Sequence, residues 1–133
     1  MGNSTFVSRI PIEFIIGNDL VLTGELNSVL SPRTIDRLLK KIPINSRIHL
    51  WKKELYFEVG IRMGVEKVAE TCNAGDIAYW PQGDAVCLFF QTMRPFSKVS
   101  PLGQFTSVDF KKVFEQIHSG MMIKIRKTTS SEV

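Results

Sequence analysis

Most of the side chains that could build a site in this chain are aromatic. Tyr56, Phe57, Tyr79, Trp80, Phe89 and Phe90 fall within 35 residues of one another, as three adjacent pairs in strand-like stretches. Neighbours on a strand point to opposite faces, so each pair offers one ring to a core and one to the outside. Core packing accounts for the inward rings. An outward ring becomes part of a binding site when a polar group stands beside it. Glu54 precedes Tyr56, and Gln91 and Arg94 follow Phe90. Glu54, Tyr56, Tyr79, Phe89, Gln91 and Arg94 are therefore the candidate lining of a concave apolar pocket with a few oriented polar groups.

Other chemistries find less support. His49 and His118 are the only histidines, and no His, Cys or acidic residues share metal-ligand spacing, so neither metal nor cofactor is expected. There is no nucleophile elbow, phosphate-binding loop or dinucleotide fingerprint. Cys72 and Cys87 do not form a redox pair of the C-x-x-C type and are expected as buried, reduced thiols, although their spacing would permit a disulfide. Gly60 and Gly64 have GxxxG spacing outside any long apolar run, which suits a bend between strands.

Charge is unevenly spread. The net +4 divides into −2 for residues 1–32, +6 for 33–53, −4 for 54–84 and +4 for 85–133. The basic block (Arg33, Arg37, Lys40, Lys41, Arg47, Lys52 and Lys53 against Asp36) lacks interleaved stacking rings and is expected to be a solvated face, with no nucleic-acid partner. With 133 residues, 44% hydrophobic, and no apolar run of membrane length, the chain reads as one soluble domain. Its start lacks a secretory layout, so a cytoplasmic location is expected. One domain is expected over residues 6–127, with loose ends at 1–5 and 128–133.

The elements that must position the rings are mainly β. Strands are expected at 9–16, 20–26, 47–51, 55–59, 65–69, 76–80, 85–90 and 121–127, with turns at Gly17-Asn18-Asp19 and Pro81-Gln82-Gly83-Asp84. Two helices stand out. Ser31 can cap the first, Pro32 suits its first position, and Ile35, Leu38, Leu39 and Ile42 make one stripe before Pro43 ends it. In the second, Ser107 can cap, Phe110, Val113, Phe114 and Ile117 repeat the spacing, and Gly120 supplies the C-terminal cap. Many short strands with two one-striped helices point to a closed barrel of about eight strands, each helix covering an opening.

The stretch from Gly75-Asp76-Ile77-Ala78-Tyr79-Trp80-Pro81 through Gly83, Ala85 and Cys87 to Phe89-Phe90 resembles the G-D-I-A-Y-W-P-x-G-x-A-x-C-x-F-F signature of the cyclophilin-like family of small prokaryotic proteins. Gly24-Glu25-Leu26, Ser31-Pro32-Arg33-Thr34, Glu54-Leu55-Tyr56-Phe57 and Leu102-Gly103-Gln104 resemble further pieces of the same family. The resemblance implies a cyclophilin-like β-barrel. It implies prolyl isomerisation less strongly, because a fold hosts more than one function. Cyclophilins resemble one another in using an arginine that hydrogen-bonds the proline amide in an aromatic groove, lowering a barrier of about 18–20 kcal/mol without a cofactor. Their aromatic-His-Arg segment is absent here, and Arg62 and Arg94 are catalytic candidates on chemistry alone. The family's G-P-T-P after the paired Phe is replaced by Gln91-Thr92-Met93-Arg94-Pro95, which reshapes the mouth of a pocket.

Three functions are compatible with these residues. The first is binding of a peptide segment or small molecule in the aromatic pocket. The second is an atypical peptidyl-prolyl isomerase using Arg62 or Arg94, and the third is a partner or module of an amide-processing small-molecule enzyme. Oligomeric state is not encoded in any of these features.

Overall fold

A computed structural model describes residues 8–95 and 97–128. The ends expected to be loose lie outside these residues except for Thr128, whose N–H donates to Pro11 O at 3.1 Å. Nine strands form one sheet: β1 Arg9–Ile16, β2 Leu20–Asn27, β3 Ile44–Arg47, β4 His49–Trp51, β5 Glu54–Glu58, β6 Asp76–Trp80, β7 Ala85–Phe89, β8 Ser100–Phe105 and β9 Met122–Lys127. Two helices complete the fold, α1 Pro32–Lys41 and α2 Phe110–Phe114. All pairings are antiparallel, in the order β3-β9-β1-β2-β8-β6-β7-β5-β4.

The two end strands of that order, β3 and β4, are consecutive in the chain and separated only by Ile48. One bent stretch thus pairs with β9 through its first half and with β5 through its second. Ile48 itself completes the β9 side, donating to Met121 O and accepting from Gly120 N at 2.8 Å each. This bend curls the sheet into a nearly closed barrel and removes the free edges that nine strands would otherwise present.

Alternation fills the barrel. Ile12, Phe14 and Ile16 of β1 and Leu22, Gly24 and Leu26 of β2 are buried, while the residues between them stay partly or fully exposed. The helices close opposite ends. Helix α1 lies by the start of β8 and the loop after β5, where Ser31 Oγ donates to Pro101 O at 2.7 Å and Lys41 Nζ to Gly60 O at 2.7 Å. It sends Ile35 and Leu38 into the core. Helix α2 brings Phe110 and Phe114 against Phe90 and Phe105 at the other end, with Phe114 stacked on Phe90 at 4.4 Å between centroids.

Four local expectations are corrected. The 65–69 stretch is not a strand: Val65 and Val68 are exposed, and only Ala69 bridges, to Val99. A strand over 100–105 appears instead, despite Pro101 and Gly103. Its register shifts between Ile77 and Ala78 of β6, and such a bulge tolerates proline. Gly103 lies so close to Glu25 O that a Cβ would overlap the β2 backbone. The second helix spans only five residues and starts after Asp109, because Ser107 bonds Thr23 instead (Oγ to Thr23 N at 2.8 Å and to Thr23 Oγ1 at 2.9 Å). Finally, Ser31 occupies the first cap without capping. Glu66 does so in its place, its carboxylate accepting from Arg33 N at 3.0 Å and from Thr34 N and Oγ1 at 2.9 Å.

Candidate functional site

Strand β7, Ala-Val-Cys-Leu-Phe, is buried at all five positions. A strand buried on both faces must be covered on the outside of the barrel as well as the inside. Val86 and Leu88 join the main core. Cys87 and Phe89 face outward into a second small cluster with Cys72, Ala78 and Val99. Two excursions of the chain supply the cover, tied to each other by Cys72 and Met93, which exchange N–H···O bonds of 2.9 Å, and by Ala69 N donating to Val99 O at 3.0 Å.

Directly paired residues share a face of the sheet, so register decides which rings meet. Tyr56 pairs with Cys87 and Cys87 with Ala78; Glu54 pairs with Phe89 and with Trp51; Tyr56 also pairs with His49. All of these face the outer cover, and Trp80, two residues from Ala78, joins them. A cavity of about 210 Å³ results, lined by Trp51, Glu54, Tyr56, Trp80, Cys87, Pro95, Ser97 and Val99. It exceeds the roughly 150 Å³ apolar cavity that holds a benzene.

The rings brace one another. Tyr56 meets Trp80 edge to face at 5.4 Å and stacks on His49 at 5.2 Å. The indole N–H of Trp80 donates to Ser97 Oγ at 2.6 Å. Gly83, in the single 3₁₀ turn Pro81–Gly83, lies under that indole, and any Cβ there would run into the ring.

Glu54 is the polar group in this apolar setting. It is 6% exposed, and loss of solvent pushes its carboxyl up to about 7, a rise that the hydrogen bond from the Cys87 thiol partly offsets. Burial pushes the Cys72 thiol up to about 12, aided by the carboxylates of Asp76 and Glu54. Cys87 is raised well above the ordinary thiol range by burial and by Glu54. Both cysteines are free thiols, and neither has the thiolate character of a nucleophile. The described residues hold no group of His, Cys, Asp and Glu suited to a metal ion.

The candidate residues are distributed as follows. Glu54 and Tyr56 line the cavity. Phe89 lies fully buried in the cluster beneath it. Gln91 is exposed and stands outside the lining. Tyr79 points the other way, into the barrel core, where its hydroxyl donates to Asp84 Oδ1 at 2.6 Å and accepts from Met63 N at 3.1 Å. Its neighbour Trp80 is the outward ring of that pair. Arg62 sits in the loop after β5 with φ of 52°, its N–H donating to Asp84 Oδ1 at 2.9 Å. Arg94 is exposed, one residue before Pro95 of the cavity wall. No arginine lines the cavity among the described residues.

Trp51, Trp80, Cys87, Pro95, Ser97 and Val99 are lining residues that sequence patterning left out. The unbroken apolar run of β7 was the available signal, because it requires a cover on the outer face. Several side chains of the basic block are tied to partners in the chain. Arg37 donates to Ile61 O at 3.2 Å, Arg47 to Gly120 O at 2.8 Å, and Lys40 pairs with Asp36 at 3.0 Å. No helix among the described residues is long and apolar enough to cross a membrane.

Among solved structures, the chain is similar to the solution structure of the hypothetical protein AF2241 from Archaeoglobus fulgidus. The TM-score is 0.78 at 22% identity, covering 95% of this chain and all of that one. It is also similar to McbB in complex with tryptophan, with a TM-score of 0.74 at 10% identity, covering 90% of this chain and 45% of McbB. No curated protein matches the sequence. The Cyclophilin-like family model matches residues 10–126, most of the chain, and the protein belongs to that family.

Proposed function

We propose that the outer cavity binds a small molecule with a flat apolar body and one polar group. The observation that carries this reading is the enclosure of a buried carboxyl, Glu54, by the rings of Trp51, Tyr56 and Trp80. A pocket with apolar walls and one oriented polar group is the usual form of a small-molecule site. McbB, of similar fold, is in complex with tryptophan, a small molecule with a flat aromatic body. A peptide side chain of the same chemistry would fit the cavity by the same contacts. Prolyl isomerisation has weaker support, since a cyclophilin-type mechanism needs a guanidinium at the reacting amide and Arg94 stands outside the lining.

Both tryptophans of the chain line the cavity, so indole fluorescence reports on this site alone. Titration with 2-phenylethylamine, 2-phenylethanol and 3-phenylpropionate should give a saturable emission change with at least one of them. Filling the cavity by Val99→Phe should abolish it. An unsaturable response to all three, or one that survives Val99→Phe, rules the site out.

A further inference from the structure

We infer that the ligand of this cavity carries a cationic amine, with Glu54 as its counter-ion and Trp51, Tyr56 and Trp80 as the surrounding cage. The inference rests on the small-molecule reading above and names the chemical class that the site selects.

Three features of the lining converge on a cation. First, three electron-rich rings surround one volume, and ring faces attract ammonium groups. Lys52 already lies over the Trp51 ring, 4.7 Å from its centroid, so that indole accepts a cation in the protein itself. Second, the cavity contains a carboxyl with no cationic partner among the described residues. The ion pairs among the described residues are Arg9 with Glu25, Lys40 with Asp36 and Arg126 with Glu13, and none involves Glu54. Its hydrogen-bond donor is a thiol, a weak one. Third, none of the described lining residues is positive. The titratable groups near Glu54 are the thiols of Cys87 on β7 and Cys72 on the covering loop, with Asp76 of β6 acting on Cys72. From β4, His49 stacks on Tyr56, and Lys53, next to Glu54, turns toward Phe114 at 5.7 Å.

A neutral ligand would leave the protonated carboxyl as a single donor. An anion would meet a carboxyl among electron-rich rings. An ammonium supplies both the charge and the N–H donors that an ionised Glu54 lacks. Binding then proceeds with a proton balance: the Glu54 carboxyl releases its proton to solvent as the ammonium ion takes its place beside the oxygens. With the free carboxyl titrating near 7, amine affinity should rise with pH through neutrality.

The test uses the full chain and the three phenyl probes, read by indole fluorescence. At about pH 8 the amine should bind at least tenfold more tightly than the alcohol, and the carboxylate more weakly than either. Between about pH 6 and about pH 8 the amine's affinity should rise close to tenfold while the alcohol's falls or stays constant. Glu54→Gln should remove the preference for the amine over the alcohol, and with it the pH dependence. Equal binding of amine and alcohol by the unaltered protein, or a flat amine affinity over that pH range, overturns the cation assignment while leaving the small-molecule site intact. Failure of all three probes overturns both. The comparison of amine with alcohol on the unaltered protein decides the matter even if Glu54→Gln does not fold.

Discussion

Trp80 Nε1 donates to Ser97 Oγ at 2.6 Å, joining a barrel strand to the loop that walls the cavity at the very ring that lines it. Ser97→Ala breaks that tie without changing any apolar contact of the indole face. Binding of 2-phenylethylamine should weaken by roughly threefold to tenfold, the scale of one lost hydrogen bond of about 1 kcal/mol. Fluorescence titration checks this. Unchanged affinity would mean that the Trp80 ring is held by packing alone.

Gly83 should tolerate no side chain. A Cβ there runs into the Trp80 ring, so Gly83→Ala must shift the indole or open the 3₁₀ turn. A destabilisation of about 1–3 kcal/mol is expected, as for other overpacked sites. It should be accompanied by a changed Trp emission maximum. Urea unfolding and the emission spectrum together report both effects.

Tyr79 tests the division between the two faces of β6. Tyr79→Phe removes the donor to Asp84 and the acceptor for Met63 N, at a cost of about 1–2 kcal/mol. Ligand affinity should not move, because the ring faces the barrel core. A drop in affinity with retained stability would contradict the placement of the cavity on the outer face.

Stability should also depend on pH through Glu54. The folded state holds its carboxyl proton up to about 7, whereas the unfolded chain releases it near 4.5. Between those values the native state binds more protons, so stability falls as pH rises, by about 3 kcal/mol in all. Asp76, raised by burial against the lowering effect of the Asn73 N–H, contributes in the same direction. Chemical denaturation across that range should show the slope in the unaltered protein and a flatter one in Glu54→Gln.

Glu66 has the opposite sign. Desolvation would raise its carboxyl, but the donors from Arg33 and Thr34 outweigh it and hold the group below the usual carboxylate range. Its contribution is therefore present above that range and lost as pH falls below it. Glu66→Ala should destabilise the protein by about 1 kcal/mol, as loss of a helix cap does. Ser31→Ala should cost stability by a different route, through its bond to Pro101 O, and the double variant should depart from additivity in urea unfolding, because Glu66 N donates to Ser100 Oγ beside Pro101.

Much of this architecture is legible in residue patterns, and the exceptions have physical causes. Ile12, Phe14 and Ile16 alternate as a half-buried strand must, and Ile35 and Leu38 mark the buried stripe of α1. Strand β8 is hidden because Pro101 sits at a bulge and Gly103 at a close backbone approach, both of which look like breakers from the sequence. The cap of α1 comes from Glu66, 32 residues beyond Thr34, and no local motif announces it. In the site, Glu54 and Tyr56 follow from their place beside one another on a strand. Choosing Trp80 over Tyr79 requires the cross-strand register, since the pair alone says only that the two rings diverge. The walls formed by Pro95, Ser97 and Val99 arise from a loop folded back over β7, a long-range event without periodicity.

The bend at Ile48 gives the cavity a mechanical role. The ends of the sheet meet on one bent stretch about Ile48, and Trp51, three positions along, is both a ring of the cavity and the last residue of that stretch. A guest bound in the proposed site would lie against Trp51, on the stretch that joins the two ends of the sheet. Binding there should therefore slow exchange of the amides of Ile48 and Gly120, which close the β9 side of that stretch.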